Sequence, residues 1–298
     1  MDDTQRLRLV TYVAADGAPR VGAVSAAGRV VDLGDVAADM PGLIAAGADG
    51  LARVRRRVAA AGGDGPAVEE VRLLAPVPKP PRNVYCIGWN YVEHFNEGAA
   101  MRLQPAQMPE HPVIFTKGTG AVNGPFDPIP FDPAVSEHID WEAELAVVIG
   151  KAGRNIAEAA AMDHVFGYTV VNDTSARDMQ QKKHGGQWFK GKSLDGHAPM
   201  GPWIVPAADL DPFDLRVICR VNGVVKQDGR TSQMYFKLPR ILAELSLGLT
   251  LEPGDVICTG TPPGVGAART PPEFLRPGDV LESEIEGIGT LRNRIERV

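Results

Sequence analysis

The sequence predicts a β-rich α+β fold, and three observations carry that expectation. Short apolar runs recur along most of the chain. Glycine and proline, 33 and 25 of the 298 residues, punctuate them, and only a few segments have helical spacing. Regular alternation of strands with helices would point to a doubly wound parallel sheet, whereas strands that outnumber helices point to α+β.

Residues 7–13 (LRLVTYV) and 29–33 (RVVDL) read as strands separated by glycine turns. The stretch from Gly42 to Ala61 is rich in Ala and Arg and reads as one or two short helices. Arg53, Arg55, Arg56 and Arg57 cluster there, on a solvated face or at an anion. Pro76, Pro78, Pro80 and Pro81 then interrupt the chain. Such a run can neither continue a helix nor sit in a central strand, so it predicts a boundary between residues 1–75 and 76–298. Beyond it, strands are expected at 84–87, 113–115, 144–149, 167–171, 203–205, 215–221, 256–259 and 280–285. Helices are expected at 91–97, 156–164, 175–182 and 232–247. Leu251–Val256 and Leu275–Val280 are near copies, each placing Pro and Gly at the centre of a type II turn that leads into a strand.

Composition narrows the function classes. Thirty-one basic against 37 acidic residues leave a net charge of −6, which argues against sheathing nucleic acid or an anionic membrane. Three scattered cysteines (Cys86, Cys219, Cys258) form neither a disulfide framework nor a zinc finger and favour a reducing compartment. Met1–Val13 lacks the apolar core of a signal peptide, and no apolar run reaches the ~18 residues of a membrane span. The expectation is a cytoplasmic protein.

Five features can carry chemistry. Glu142 and Glu144 lie two apart at the head of an apolar run, so on a strand both side chains leave the same face. They are either ordinary solvent-facing acids or a pair made favourable by a divalent cation. Asp173 closes the apolar run 166–171 and is either a helix cap or a third carboxylate for the same ion. His94 and Glu97, at i and i+3, can form a surface pair or a carboxylate-tuned general base. Lys192 stands among glycines and aromatics, where an ammonium can face developing negative charge or simply snorkel at the surface. Gly260, between Thr259 and Thr261, lets backbone N–H groups approach a ligand, or closes a tight loop. A Walker loop, G-x-S-x-G, H-E-x-x-H and C-x-x-C are all absent.

Taken in order, Tyr85–His94, Asp140–Leu145, Val171–Gln180, Gly191–Asp195 and Thr259–Gly266 resemble the fumarylacetoacetate hydrolase family. The resemblance spans most of residues 80–297 and implies a mixed β-sandwich roll, with residues 1–75 as a small appended α+β domain, and a homodimer. It implies Mg²⁺ or Mn²⁺ on Glu142, Glu144 and Asp173, a His94–Glu97 dyad on a mobile helix, and Arg177, Gln180 and Lys192 facing the substrate. Trp89 departs from the family pattern, in which Arg or Leu is common, and with Trp188 it is either a lining for a larger substrate tail or plain core. The stretch 98–112, with Met101, Pro105, Met108, Pro109 and Pro112, is expected to move with a lid.

The expected function is divalent-metal-dependent hydrolysis of a C–C bond in an acylpyruvate-like dicarbonyl acid, in the breakdown of aromatic compounds. In this expectation His94, Glu97 and Lys192 are catalytic, and Arg177, Gln180, Thr259, Gly260, Thr261 and Trp89 bind substrate. Decarboxylation of a 2-oxo acid of the oxaloacetate type, and isomerisation or hydration of a dienoic acid, use the same enolate chemistry and stand as alternatives. More remote is a metal-binding dimer without turnover.

Overall fold

The computed structural model describes residues 6–101 and 107–298. Strands dominate, as expected, and they form two large mixed sheets. The first runs in the order Val30–Asp32, Pro19–Val24, Arg8–Val13, Ala198–Pro206, Val165–Asn172, Ala143–Ile149, Val256–Cys258, Val84–Gly88, Val113–Lys117. The second runs Val224–Arg230, Arg216–Val221, Val280–Ile285, Gly289–Arg297, Ile129–Phe131. Most neighbours are antiparallel, but Val256–Cys258 and Val84–Gly88 pair in parallel.

The strand Ala143–Ile149 explains how the layers stack. All seven residues are buried, because the strand is covered on both faces. Leu145, Val147 and Ile149 pack with Val217, Leu281, Leu291 and Ile295 of the second sheet and with Ile241, Leu242 and Leu245 of the helix Leu238–Ser246. Ala146 and Val148 point the other way, into a cluster with Leu9, Val21, Leu33, Leu43, Ile44 and Val54. The period of two therefore carries Glu142 and Glu144 on the Ala146 face.

Across the proline run, Leu9 pairs with Ile204, and Leu7, Leu9, Val21, Ala23, Leu33 and Leu43 share a cluster with Val84, Cys86 and Met200, whereas Val10, Tyr12, Val24, Val30 and Leu73 form a cluster of their own. Both Leu-x-Pro-Gly-Asp turns are present. Gly254 and Gly278 take φ of +90° and +97°, and Asp255 and Asp279 donate their N–H to Glu252 and Arg276 carbonyls at 3.0 Å. The arginine cluster proves solvated and paired: Arg55 meets Asp209 at 2.6 Å and Arg57 meets Asp35 at 3.6 Å.

Several expected elements differ. A helix over 232–247 would bury Pro239 in its interior, where the missing N–H breaks the ladder. The structure instead forms a 3₁₀ turn, Thr231–Gln233, and starts the helix at Leu238, with Pro239 tolerated in its first turn. The segment 156–164 forms the 3₁₀ helix Glu158–His164, and the segment from 175 is extended at Ser175–Ala176 before the helix Arg177–Lys182. Pro19–Val24, Val224–Arg230 and Gly289–Arg297 are strands that the reading passed over, although Leu291, Asn293 and Ile295 alternate inward between outward arginines. Among the described residues no helix is long and apolar enough to cross a membrane. Of the stretch expected to move with the lid, residues 102–106 lie outside the described residues.

Candidate active site

The acidic trio assembles because its two strands are neighbours. Ala143 pairs with Asn172 and Glu144 with Val171, so Glu142 and Asp173 sit side by side at one end of the sheet. The Asp173 N–H donates to the Glu142 carbonyl at 2.8 Å, which ties the two backbones together. Glu142, Glu144 and Asp173 are buried and bring one oxygen each within 4.8 Å of one another. Asp173 caps no helix; the helix that follows starts after an extended Ala176 with no side-chain cap.

Cations surround two of the three carboxylates. Lys192 Nζ donates to Glu142 Oε2 and Asp173 Oδ2, both at 2.7 Å. Arg177 reaches Glu142 Oε1 at 2.7 Å, and Lys117 Nζ donates to Asp173 Oδ1 at 2.7 Å. Burial alone would raise the Glu142 pKa, but the Lys192 and Arg177 charges overrule it and hold the carboxyl well below its usual range. Burial likewise works against the Lys192 ammonium, and Asp173 and Glu142 reverse it, so Lys192 stays charged.

Glu144 differs. Its carboxylate accepts the Gly260 N–H at 2.7 Å. Burial, with Cys258, Asp173 and Glu142 close by, pushes its pKa well up. A buried carboxyl beside two others, with a backbone amide as its hydrogen-bond donor, lacks positive charge. Oxygen donors of this kind suit a hard divalent ion, so the trio fits the Mg²⁺ or Mn²⁺ that the sequence led us to expect.

His94 faces the same cleft. The helix Val92–Glu97 places His94 Nδ1 2.8 Å from Glu97 Oε1. Glu97 Oε2 also accepts the Gly264 N–H at 2.7 Å, which latches this helix to the loop after Thr261. With Nδ1 engaged, Nε2 is the ring nitrogen left to exchange a proton. Trp89, Trp188, Phe115, Gln180 and Thr261 complete the cleft, whose free volume is about 30 Å³.

The loop 259–261 meets the site from behind. Thr259 and Thr261 donate their hydroxyls to the Leu145 and Ala143 carbonyls at 2.9 Å, and Gly260 serves Glu144. Thr261 lines the cleft; Thr259 does not. Lys192 lies at the end of the short helix Phe189–Lys192 rather than in a loop. A Cβ at Gly191 would stand 2.5 Å from the Gln180 amide nitrogen, so glycine there lets this helix press onto the one bearing Arg177 and Gln180.

Several residues with evident roles escaped the sequence reading. Asp140 accepts Arg177 Nε at 2.8 Å and three backbone N–H groups. Lys117 is fully buried, a position that demands a partner and closes a short apolar strand. Asn90 bridges to Thr259 and Phe236, and Gln227 accepts the Ala143 N–H while donating to Thr261. Each amide fastens a loop to the floor of the site.

Behind Lys117 lies His197, buried, with Nε2 against the Pro130 carbonyl at 2.9 Å. Burial and then the Lys117 charge push its pKa down to about 4 from the ordinary 6.5. Between those values the unfolded chain binds a proton that the fold refuses, so this contribution to stability is full above pH 6.5 and is lost as pH falls through 4. At ~1.4 kcal/mol per pH unit the loss comes to about 3 kcal/mol. Urea unfolding of wild type and His197→Asn across this window should differ in slope, and superimposable pH profiles would contradict the assignment.

The family model described as Fumarylacetoacetate (FAA) hydrolase C-terminal matches residues 83–296. Over 230 residues the chain is 49% identical to Oxaloacetate tautomerase YisK of Bacillus subtilis (strain 168), spanning 77% of this chain and 74% of that protein. The solved fumarylacetoacetate hydrolase from psychrophilic Exiguobacterium antarcticum superposes with a TM-score of 0.82 at 39% identity, over 98% of this chain and 100% of that one. Maleylpyruvate hydrolase from Sphingobium sp. SYK-6, solved with manganese(II) ion and pyruvate, gives a TM-score of 0.78 at 27% identity, over 97% and 99%.

Proposed function

The chain belongs to the fumarylacetoacetate hydrolase family, and from that premise we propose that it is a divalent-metal-dependent enzyme interconverting the keto and enol forms of a short 2-oxo acid of the oxaloacetate type. One observation carries this reading: Glu142, Glu144, the Lys192 ammonium and a histidine braced by a carboxylate line a single cleft, with Asp173 clustered against the two glutamates behind it. The relative named as an oxaloacetate tautomerase, at 49% identity, supports the choice of reaction.

Glu142, Glu144 and Asp173 would hold Mg²⁺ or Mn²⁺, which when bound supplies Lewis-acid polarisation of a carbonyl. The chain's own residues move the proton. His94 Nε2 takes it from the carbon beside the ketone, the C–H electrons become the C=C bond, the C=O π electrons move onto the ketone oxygen, and that oxygen takes the proton back from His94, which returns to the neutral imidazole. Lys192 has three N–H bonds and uses two on Glu142 and Asp173, so the third can serve that oxygen. Arg177 is committed to Asp140 and Glu142 and holds Gln180 Oε1 at 3.0 Å, which turns the Gln180 NH₂ into the donor that orients a substrate carboxylate.

C–C hydrolysis of an acylpyruvate-like acid is the second reading. It is favoured by the His94–Glu97 pair, which can equally activate water, and by the likeness to maleylpyruvate hydrolase. The test offers oxaloacetate with Mg²⁺ or Mn²⁺ and follows the enol by its ultraviolet absorbance, beside acetylpyruvate with product identification. Equilibration accelerated by at least about a hundredfold over buffer is expected, and that gain should vanish in His94→Ala. Pyruvate and acetate released from acetylpyruvate, with oxaloacetate equilibrating at the buffer rate, would replace the first reading by the second. Glu144→Ala should weaken Mn²⁺ binding, followed by titration calorimetry, by at least about a hundredfold, since loss of an outer partner alone costs ten- to a hundredfold. Unchanged affinity would remove Glu144 from the ligand set.

A further inference from the structure

We propose that Trp89 and Trp188 form a wall that admits short 2-oxo acids and turns away those with a bulky group on the enolisable carbon. The proposal rests on the keto–enol reading above and specifies the substrate size that the site accepts.

The two indoles arrive from the two elements that carry the chemistry. Trp89 precedes the helix of His94, and Trp188 precedes the helix of Lys192. They meet edge to face with ring centres 5.1 Å apart. Phe115 stands 5.1 Å from Trp188 and Phe95 6.0 Å from Trp89, so three rings line the cleft and the buried Phe95 backs Trp89. Two backbone features show that the wall is built in. A Cβ at Gly88 would lie 2.5 Å from the Trp188 ring, and the Gly88 backbone has no positive φ of its own to explain the glycine. What Gly88 provides is room for the indole. Trp89 adopts a φ of +55°, a region bulky residues rarely occupy, and its contacts with Trp188 and Phe95 hold it there.

Trp89, Trp188 and Phe115 line the same cleft as His94, Glu142, Glu144 and Lys192, so the ring edges face the groups that do the chemistry. Both cations lining the cleft, Arg177 and Lys192, already face carboxylates. An arm extending from the enolisable carbon would meet ring edges in close contact, where added bulk is costly.

Oxaloacetate and phenylpyruvate undergo the same keto–enol exchange and differ in the group on the reacting carbon. The test measures kcat/KM for both with wild type, Trp89→Asn and Trp188→Leu. Asparagine tolerates the left-handed backbone at position 89. Wild type should favour oxaloacetate by at least about a hundredfold, and each variant should raise the phenylpyruvate-to-oxaloacetate ratio at least about tenfold, the scale of a methylene-sized steric change. A wild type that accepts both equally, or ratios unmoved in both variants, would overturn the wall. Titration calorimetry of oxalate and phenylpyruvate on the Mn²⁺-loaded proteins provides a readout independent of turnover. If wild type fails to turn over oxaloacetate, the keto–enol reading fails, and the binding ratio still decides the wall. A variant that does not fold, judged by circular dichroism, leaves the decision to the other.

Discussion

Lys192→Met is expected to abolish turnover and to destabilise the metal-free protein, two losses with one electrostatic cause. The ammonium donates to Glu142 and Asp173 at 2.7 Å in a site where all three groups are buried. Methionine matches the length of the chain but leaves two carboxylates facing each other. Removing one partner from a buried ion pair costs about 3–5 kcal/mol, because the remaining charge is neither solvated nor paired. Lys117 still serves Asp173 and Arg177 still serves Glu142, so a loss near 3 kcal/mol is expected in urea unfolding with a chelator. Repeating the melt with saturating Mn²⁺ should shrink the difference. Turnover should fall by about a thousandfold or more, as for other donors aimed at developing negative charge. Equal urea midpoints in chelator, or activity within tenfold of wild type, would mean that Lys192 neither neutralises the trio nor faces the reacting oxygen.

What the sequence disclosed about this site was local. Glu142 and Glu144 share a face because a strand repeats every two residues, and His94 meets Glu97 because a helix brings i and i+3 together. Asp173 was visible as an acid closing an apolar run. The family resemblance then joined these fragments, and in the structure Glu142, Glu144 and Asp173 bring one oxygen each within 4.8 Å of one another. Long-range partners stayed hidden. Lys117 and Asp173 are 56 positions apart, and Asp140 and Gly266 are 126 apart, so no periodicity links them. The docking of the first strand was hidden in the same way. The prolines at 76–81 break secondary structure locally, but Leu9 pairs with Ile204 through a sheet that only tertiary contact defines. A buried lysine ending an apolar strand was the one signal available for Lys117, since such a charge needs a carboxylate.

Asp140 shows how much an unremarked residue can hold, and its replacement should have the second largest effect. Oδ1 accepts the N–H groups of Trp141 and Gly266 at 2.8 and 2.7 Å, and Oδ2 accepts Ala267 N–H and Arg177 Nε at 3.0 and 2.8 Å. All four acceptor positions of an ionised carboxylate are therefore filled. Asparagine cannot substitute, because its NH₂ would confront two N–H donors whichever way the amide turned. Asp140→Asn is thus expected to cost nearly as much as Asp140→Ala, about 3 kcal/mol or more in urea unfolding. The effect should also reach His94. The loop that Asp140 grips at Gly266 and Ala267 is the loop whose Gly264 N–H holds Glu97, although Asp140 has no hydrogen bond to either member of the dyad. In a double-mutant cycle on kcat/KM, Asp140→Asn and Glu97→Gln should couple by about 0.5–3 kcal/mol, the range for residues joined through a shared backbone element. Additive effects would instead mean that the loop transmits nothing, and that Asp140 serves Arg177 and the fold alone.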